Sequence, residues 1–485
     1  GLLLGPIAAL VCAFLFQPDP TRPEIGYMAA VVCLMAIWWI SEAVPLAATS
    51  LLPFLLFPLL GILDTGRTAS SYMNSIIFLF LGGFLIALAM ERWNLHRRIA
   101  LAIINTMGQK PARTVLGFMA AAAFLSMWIS NTATAVMMLP IGLALIHKVE
   151  EIFGEKKSHS LALCLMLGIA YGCSIGGVAT LVGTPPNMVL AAVYAETFPD
   201  ATPISFGQWI LLGLPFALFM LLGTWFLLTR VLCRIDPDLV LDPAEVRREK
   251  QALGRMSPAE KTVATIFVTT ALLWIFRADL ALGFVTLPGW SRLWEPLRVV
   301  DDGTIAIAMA LLLFVLPARG AAGAEPILGG AVFARVPWSI ILLFGGGFAL
   351  AQGFTASGLS EHLAARMTGA ESLPLLALTG IVCFGVTFLT ELTSNTATTQ
   401  MLLPLLTSTA QGLGIHPLLL MIPATLSASM AFMMPVATPP NAIVFSSQRI
   451  RIREMVRIGL VINLFGFVII VCLSLWLVPI LFVLD

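Results

Sequence analysis

Apolar runs of about the length that crosses a bilayer core, roughly 20 residues, recur near residues 2–16, 26–43, 46–62, 76–91, 160–196, 206–233, 262–282, 303–317, 338–355, 416–447 and 456–482. They predict an all-α polytopic membrane protein with about eleven transmembrane helices. Two further apolar stretches, 114–149 and 374–412, are interrupted midway by Ser130-Asn131-Thr132 and Ser394-Asn395-Thr396. Each is either two crossings or one re-entrant hairpin. The first run has no basic stretch ahead of it and is expected to be a first span rather than a cleavable signal.

The basic residues choose between these options, because cytoplasmic loops are enriched in Lys and Arg. Arg92, Arg97, Arg98, Lys110 and Arg113 precede the first interrupted stretch, and Lys148, Lys156 and Lys157 follow it. Both of its ends therefore face the cytoplasm, and it is predicted to be a hairpin. The charged segment 230–261 and the run Arg449, Arg451, Arg453, Arg457 belong on the same side. Counting crossings from these points puts the N-terminus inside and the C-terminus outside. The second hairpin then enters from the outer face, where its flanks hold Arg366 and His416 with Glu361 and Glu371.

The chain also matches itself. A shift of 264 residues aligns Ile76, Ile77, Gly82, Gly83 and Phe84 with Ile340, Ile341, Gly346, Gly347 and Phe348. The same shift aligns Ser130-Asn131-Thr132-Ala133-Thr134 with Ser394-Asn395-Thr396-Ala397-Thr398, and Pro140 with Pro404. A shift of 254 aligns Thr184-Pro185-Pro186-Asn187 with Thr438-Pro439-Pro440-Asn441. Because the equivalent hairpins are expected to face opposite sides, the halves read as inverted-topology repeats, the plan of many secondary transporters. The predicted organisation is an additional first span (1–25), repeat 1 (26–233, hairpin 114–149, broken helix 160–196), a cytoplasmic linker (234–261, with Asp236-Pro237 and Asp242-Pro243) and repeat 2 (262–485, hairpin 374–412, broken helix 416–447).

Composition narrows the class. Of 485 residues, 59% are hydrophobic and 11% charged, against about 25% charged in soluble domains. That excludes a soluble enzyme, a nucleic-acid binder and a disordered scaffold. A formal charge of +1 offers no overall field. The seven cysteines lack metal-site spacing and are expected to be buried free thiols. His96, His147, His159, His362 and His416 lie at span edges or in loops, which disfavours a proton relay or a hydrolytic triad. No HExxH or P-loop is found in the sequence, so the chain is not read as an enzyme or a nucleotide-driven pump.

The polar interruptions carry the chemistry. Backbone that stops being helical at membrane depth is tolerated only when buried in protein or lining a wet cavity. Each hairpin tip frees N–H groups at the start of its returning helix and C=O groups at the end of the entering one. The prolines after Gly183-Thr184 and Ala437-Thr438 interrupt two more helices and expose the carbonyls before them. Small polar residues in lone positions often only bond to i−4 carbonyls or glue helices together. Four breaks paired across a repeat point instead to a transport site. Its neutral oxygens, without a fixed basic residue, suit a hard cation such as Na+, and an anion could follow if helix N-termini and bound cations supply charge. Glu42, before Pro45, fits a structural role at an interfacial turn; Glu391, beside the second tip, is the better functional candidate.

These motifs resemble the divalent anion/sodium symporter family, whose members include sodium-coupled dicarboxylate, tricarboxylate and sulfate transporters. The paired Ser-Asn-Thr tips, the paired Thr-Pro motifs and Trp38-Trp39-Ile40-Ser41-Glu42-Ala43-Val44-Pro45 carry the resemblance, which covers nearly the whole chain. It implies one Na+ held by Ser126, Ser130, Asn131 and Gly183, and a second by Thr390, Thr393, Ser394, Asn395 and Ala437. A backbone carbonyl would serve at Thr393, where the family can have Ala. It further implies substrate carboxylates against Ser130, Asn131, Thr132, Asn395 and Thr396, with Thr184, Pro185, Thr438 and Pro439 opposite. A homodimer working as an elevator in the cytoplasmic membrane, amphipathic arms near 92–110 and 356–372, and no cofactor beyond the coupling ion are implied as well. The expected activity is Na+-driven uptake of a C4 dicarboxylate such as succinate, malate or fumarate. A Na+-independent exchanger and a sulfate or citrate transporter are rivals within the family, and an anion channel is the rival from another class.

Overall fold

Apolar runs of this kind become helices because a backbone without water must satisfy its own N–H and C=O groups. The computed structural model describes residues 1–485 apart from 109, 237–238, 240–243, 282–285, 319–324, 367–372 and 484–485. The Asp242-Pro243 part of the expected linker, Pro237 and the flanking Glu371 lie outside the described residues. In chain order the first half holds α1 (Leu4–Leu15), α2 (Glu24–Ser41), α3 (Leu46–Thr49), α4 (Leu52–Leu59), α5 (Thr65–Ser71), α6 (Ser75–Arg92), α7 (Leu95–Thr106), α8 (Pro111–Ser126), α9 (Asn131–Phe153), α10 (Glu155–Val178), α11 (Pro185–Thr197) and α12 (Phe206–Phe226). After the charged segment come α13 (Ala244–Ala252), α14 (Pro258–Ile275), α15 (Asp302–Val315), α16 (Trp338–Ser357), α17 (Leu359–Arg366), α18 (Leu375–Leu389), α19 (Asn395–Gly412), α20 (Leu418–Ala428), α21 (Pro439–Phe445) and α22 (Ile452–Val478). Extended pairing among the described residues is confined to Leu280–Ala281 with Thr286–Leu287 and one bridge between Pro317 and Pro326.

Seven helical stretches among the described residues are long and apolar enough to cross a membrane. Several of the eleven expected crossings fall short of that length. α1 has 12 residues and α15 has 14, about 18–21 Å at 1.5 Å per residue against a core of about 30 Å. The run 46–62 is split at Ser50, because Pro53 has no N–H to donate to the Thr49 carbonyl, while α4 runs on through Pro58. Conversely α9, expected to be only one arm of a hairpin, has 23 residues and is long enough to cross. Gly154, at φ +80°, turns the chain from α9 into α10. The cysteines are free thiols, but only Cys164, Cys173 and Cys383 are buried; Cys472 is exposed.

Without water to drive apolar surfaces together, helices in a membrane pack through close backbone approach at small residues. On α10, Gly168, Gly172 and Gly176 stand four residues apart and press on α8: a Cβ on Gly176 would lie 2.1 Å from the Ala123 carbonyl oxygen. This run locks the first hairpin to the helix behind it. Gly82 of α6 meets the Ala306 backbone of α15, and Gly346 of α16, its partner under the 264 shift, meets the backbone of Ser50. The α3/α4 break therefore makes a seat, which Tyr72 also uses, its hydroxyl donating to the Ser50 carbonyl at 2.5 Å.

The amphipathic α7 is bound to the charged segment that follows α12. Arg97 pairs with Glu249 of α13. Arg98 grips Glu260 through Nε at 2.5 Å and Nη2 at 3.1 Å, and donates to the carbonyls of Leu253 and Gly254. Glu260 also closes a capping box with Ser257 at the start of α14. The linker is thus a folded clasp on the first arm.

Gly82→Val and Gly346→Val should each lower the melting temperature in detergent, through overpacking of about 1–3 kcal/mol. Gly385→Ala, whose Cβ would meet nothing within 4 Å, should not. Equal melting of all three variants would contradict the backbone contacts.

Candidate functional site

At the first tip, α8 ends at Ser126 and α9 starts at Asn131. Ser130 caps α9, its Oγ accepting the Ala133 N–H at 3.2 Å. The Ser126 hydroxyl donates to Asn131 Oδ1. The second tip repeats this under the 264 shift: Ser394 caps α19 through the Ala397 N–H at 3.5 Å. Thr390 Oγ1 lies 2.7 Å from both Asn395 Oδ1 and the Ala428 carbonyl oxygen. Each tip therefore presents a helix N-terminus, with its partial positive charge, beside an Asn and a hydroxyl.

The two proline breaks repeat as closely. Between α10 and α11 the chain unwinds over 179–184, and Asn187 Nδ2 reaches back to the carbonyls of Val178 at 3.1 Å and Thr180 at 2.7 Å. Between α20 and α21 it unwinds over 429–438, and Asn441 Nδ2 donates to Ala431 O at 3.0 Å and Met434 O at 3.1 Å. Thr184 and Thr438 are buried and extended at the start of the two short helices. The Asn of each Thr-Pro-Pro-Asn motif is thus a brace across its break. Its role is not visible in composition, but its place three residues after the Thr in both halves was available to find it.

Gly177 and Gly183 bring tip and break together in the first half. A Cβ on Gly177 would stand 2.8 Å from Asn131 Oδ1 and 2.9 Å from the Gly183 carbonyl oxygen; one on Gly183 would strike Gly177 O at 2.4 Å. Ser126 Oγ, Asn131 Oδ1 and Gly183 O therefore converge on one small volume. The Thr180 hydroxyl ties the same break to the tip through the Met127 carbonyl at 2.5 Å and accepts the Gly183 N–H at 3.0 Å. In the second half Thr390 and Asn395 meet directly, and the Ala437 N–H turns back onto Met434 O at 3.2 Å. The Thr393 hydroxyl is engaged with Leu389 O and Thr398 Oγ1. Ser130 and Thr132 are exposed, Asn131, Ser394 and Asn395 half-buried, and Thr396 buried; Pro185 is half-buried and Pro439 exposed.

The tips differ in their surroundings. Trp128 packs on Phe206 at 6.1 Å and edge-on to Phe267 at 5.1 Å between ring centres. Together with Val182 it borders a small apolar cavity also lined by Gly83 and Trp274. Leu392 and Val436, the counterparts of Trp128 and Val182, are 73% and 81% exposed. One tip is seated and the other is not. Between the breaks, the Tyr171 hydroxyl donates to the Phe432 carbonyl at 2.8 Å. Glu391 does not open between the tips: its carboxylate accepts the N–H groups of Phe432, Met433 and Met434 and the Asn463 amide. Glu42 closes α2 in the left-handed region at an exposed turn.

A family model described as the sodium:sulfate symporter transmembrane region matches residues 2–484. The chain is 42% identical over 484 residues to a protein of Staphylococcus saprophyticus named sodium-dependent dicarboxylate transporter SdcS, covering 99% of this chain and 91% of that protein. The protein of the same name from Staphylococcus aureus strain MSSA476 is 42% identical over 490 residues, covering 100% and 92%. Among solved structures, the YdaH transporter of Alcanivorax borkumensis superposes with a TM-score of 0.57 at 16% identity, over 95% of this chain and 98% of that one. MtrF of Neisseria gonorrhoeae gives 0.56 at 13% identity, over 97% of each. These two likenesses concern the fold alone.

Replacing Asn187 or Asn441 by Leu leaves two buried break carbonyls without their brace, a loss of about 1–3 kcal/mol. Both variants should melt earlier in detergent than the exposed-tip variant Thr132→Ala, and unchanged melting would show that the braces are dispensable.

Proposed function

The chain belongs to the sodium:sulfate symporter family, and on that premise we propose that it couples inward Na+ movement to uptake of a C4 dicarboxylate such as succinate, malate or fumarate across the cytoplasmic membrane. The observation that carries this reading is the convergence of Ser126 Oγ, Asn131 Oδ1 and the Gly183 carbonyl beside a helix N-terminus, with Thr390 and Asn395 arranged alike in the second half. Its support in kind comes from the SdcS relatives, whose name is that of sodium-dependent dicarboxylate transporters.

In this reading one Na+ takes Ser126, Ser130, Asn131 and Gly183, and the other takes Thr390, Thr393, Ser394, Asn395 and Ala437, with Thr393 contributing its carbonyl because its hydroxyl is engaged. Hard cations favour such neutral oxygens when several converge. A dianion entering the gap without them would meet only partial dipole charges from the starts of α9 and α19. Sodium therefore binds first, and the ions supply the charge that holds the carboxylates against Ser130, Asn131, Thr132, Asn395 and Thr396, with Thr184, Pro185, Thr438 and Pro439 facing them.

The reading extends to architecture. Eleven crossings and two hairpins in inverted repeats, with N-terminus inside and C-terminus outside, follow from the basic loops, and the short helices count as crossings within the bundle. The hairpins, the broken helices, α12 and α22 move as an elevator against the remaining helices of a homodimer. The unequal seating of Trp128 and Leu392 supports this, since inverted repeats exchange conformations between the two end states.

Labelled succinate should enter proteoliposomes only with an inward Na+ gradient, and sulfate should compete weakly. Retained counterflow without Na+ dependence would make the protein an exchanger, and rates far above transporter turnover would make it a channel. Asn131→Ala and Asn395→Ala should each abolish uptake, a fall of about 100-fold or more if a cation ligand is lost, while the variants keep wild-type elution on size exclusion. Na+-coupled uptake by both variants would sink the site assignment.

A further inference from the structure

The two halves hold their tips to their breaks by different means. In the first half, Gly168, Gly172 and Gly176 bring α10 against α8, and the link from tip to break is neutral, Thr180 to the Met127 carbonyl. In the second half the positions 254 residues on are Ile422, Leu426 and Met430, so the glycine ladder is not repeated. Position 391, the counterpart of Met127, is a buried carboxylate instead. Glu391 Oε1 accepts Phe432 N at 2.7 Å, Met433 N at 2.9 Å and Asn463 Nδ2 at 2.7 Å, and Oε2 accepts Met434 N at 3.0 Å. All four partners are donors, the company of a carboxylate rather than of a carboxylic acid.

We propose that Glu391 is the positioning residue of the second Na+ site, stapling three consecutive amides of the α20–α21 break to hairpin 2 so that the Ala437 carbonyl is held for the ion. Three successive N–H groups turned onto one carboxylate set three peptide planes at once. The break then runs to Thr438 with the Asn441 brace closing its other side at Ala431 and Met434. Thr390 sits next to Glu391 in sequence and bonds Asn395 and Ala428 O. The staple therefore fixes the break relative to the side chains that share the ion. Asn463 of α22 holds the carboxylate from behind, where the first half has Trp209 bonding Val178 O at 3.0 Å. No Na+ need touch Glu391 for it to act; it acts through Ala437.

The proposal rests on the sodium reading of the site, and its test separates the two. Initial rates of succinate uptake by the full chain in proteoliposomes are measured against Na+ at saturating succinate, and against succinate at saturating Na+. Glu391→Gln keeps the size but cannot accept all four donors. Half-saturating Na+ should rise about tenfold, the scale of losing charge-assisted hydrogen bonds, while half-saturating succinate moves less than about twofold. Asn463→Leu, which removes one of the four donors, should raise half-saturating Na+ by about two- to fivefold. An unmoved Na+ dependence in folded Glu391→Gln overturns the assignment, and so does an equal rise in both constants, the mark of a loosened fold. If Glu391→Gln is not recovered folded, Asn463→Leu decides by the same criterion. Wild-type uptake without Na+ dependence would overturn the sodium reading and this assignment together, whereas Na+-dependent wild type with unmoved variants overturns this assignment alone.

Discussion

The structure depends on one constraint, that a peptide group in hydrocarbon must find a hydrogen-bond partner inside the protein. Four places break it by design: two hairpin tips and two proline interruptions, each leaving N–H or C=O groups without a helical partner. The rest of the molecule is arranged to shelter these places. Asn187 and Asn441 take up break carbonyls, Ser130 and Ser394 cap the returning helices, and Glu391 takes up three break amides. At each tip a helix N-terminus is left beside an Asn and a hydroxyl, Ser126 with Asn131 and Thr390 with Asn395.

Sheltering a break demands close packing, and in a membrane close packing comes from small residues. The glycine ladder of α10 does this for the first half, and the pairs Gly82–Ala306 and Gly346–Ser50 fasten elements of the two halves to each other. The second half lacks the ladder and uses side-chain hydrogen bonds at the same task. Related segments thus reach one geometry by unlike chemistry, van der Waals approach in one case and a buried carboxylate in the other. The second solution costs desolvation of a charge, tolerable only because four donors replace its water.

Much of this was legible in the chain. The self-match at 264 and 254 residues located both tips and both breaks, and these repeat hydrogen bonds, Ser126–Asn131 with Thr390–Asn395 and the brace of Asn187 with that of Asn441. Helix positions followed from apolar runs, because burial in lipid leaves little else for such runs to do. Less legible were the split of α3 from α4, the folded clasp of Arg97 and Arg98 on the linker, and the true partners of Glu391. The first turned on prolines inside an apolar run, where strength of hydrophobicity outweighed them in the reading. The other two are contacts between segments some 40 to 165 residues apart, to which no local pattern points.

By itself the sequence determined the solvent of the chain, the pairing of its two tips and two proline breaks, and the neutral polar residues they carry, because these depend on local composition and on repetition. Only the tertiary structure decided which oxygens converge, that Trp128 is seated while Leu392 stands free, and that Glu391 faces backbone amides rather than the gap between the tips. The physical reason is that a carboxylate or a carbonyl has the same sequence signature whether it meets an ion or a peptide N–H. Its role is set by which groups the packing brings within about 3 Å, the reach of a hydrogen bond.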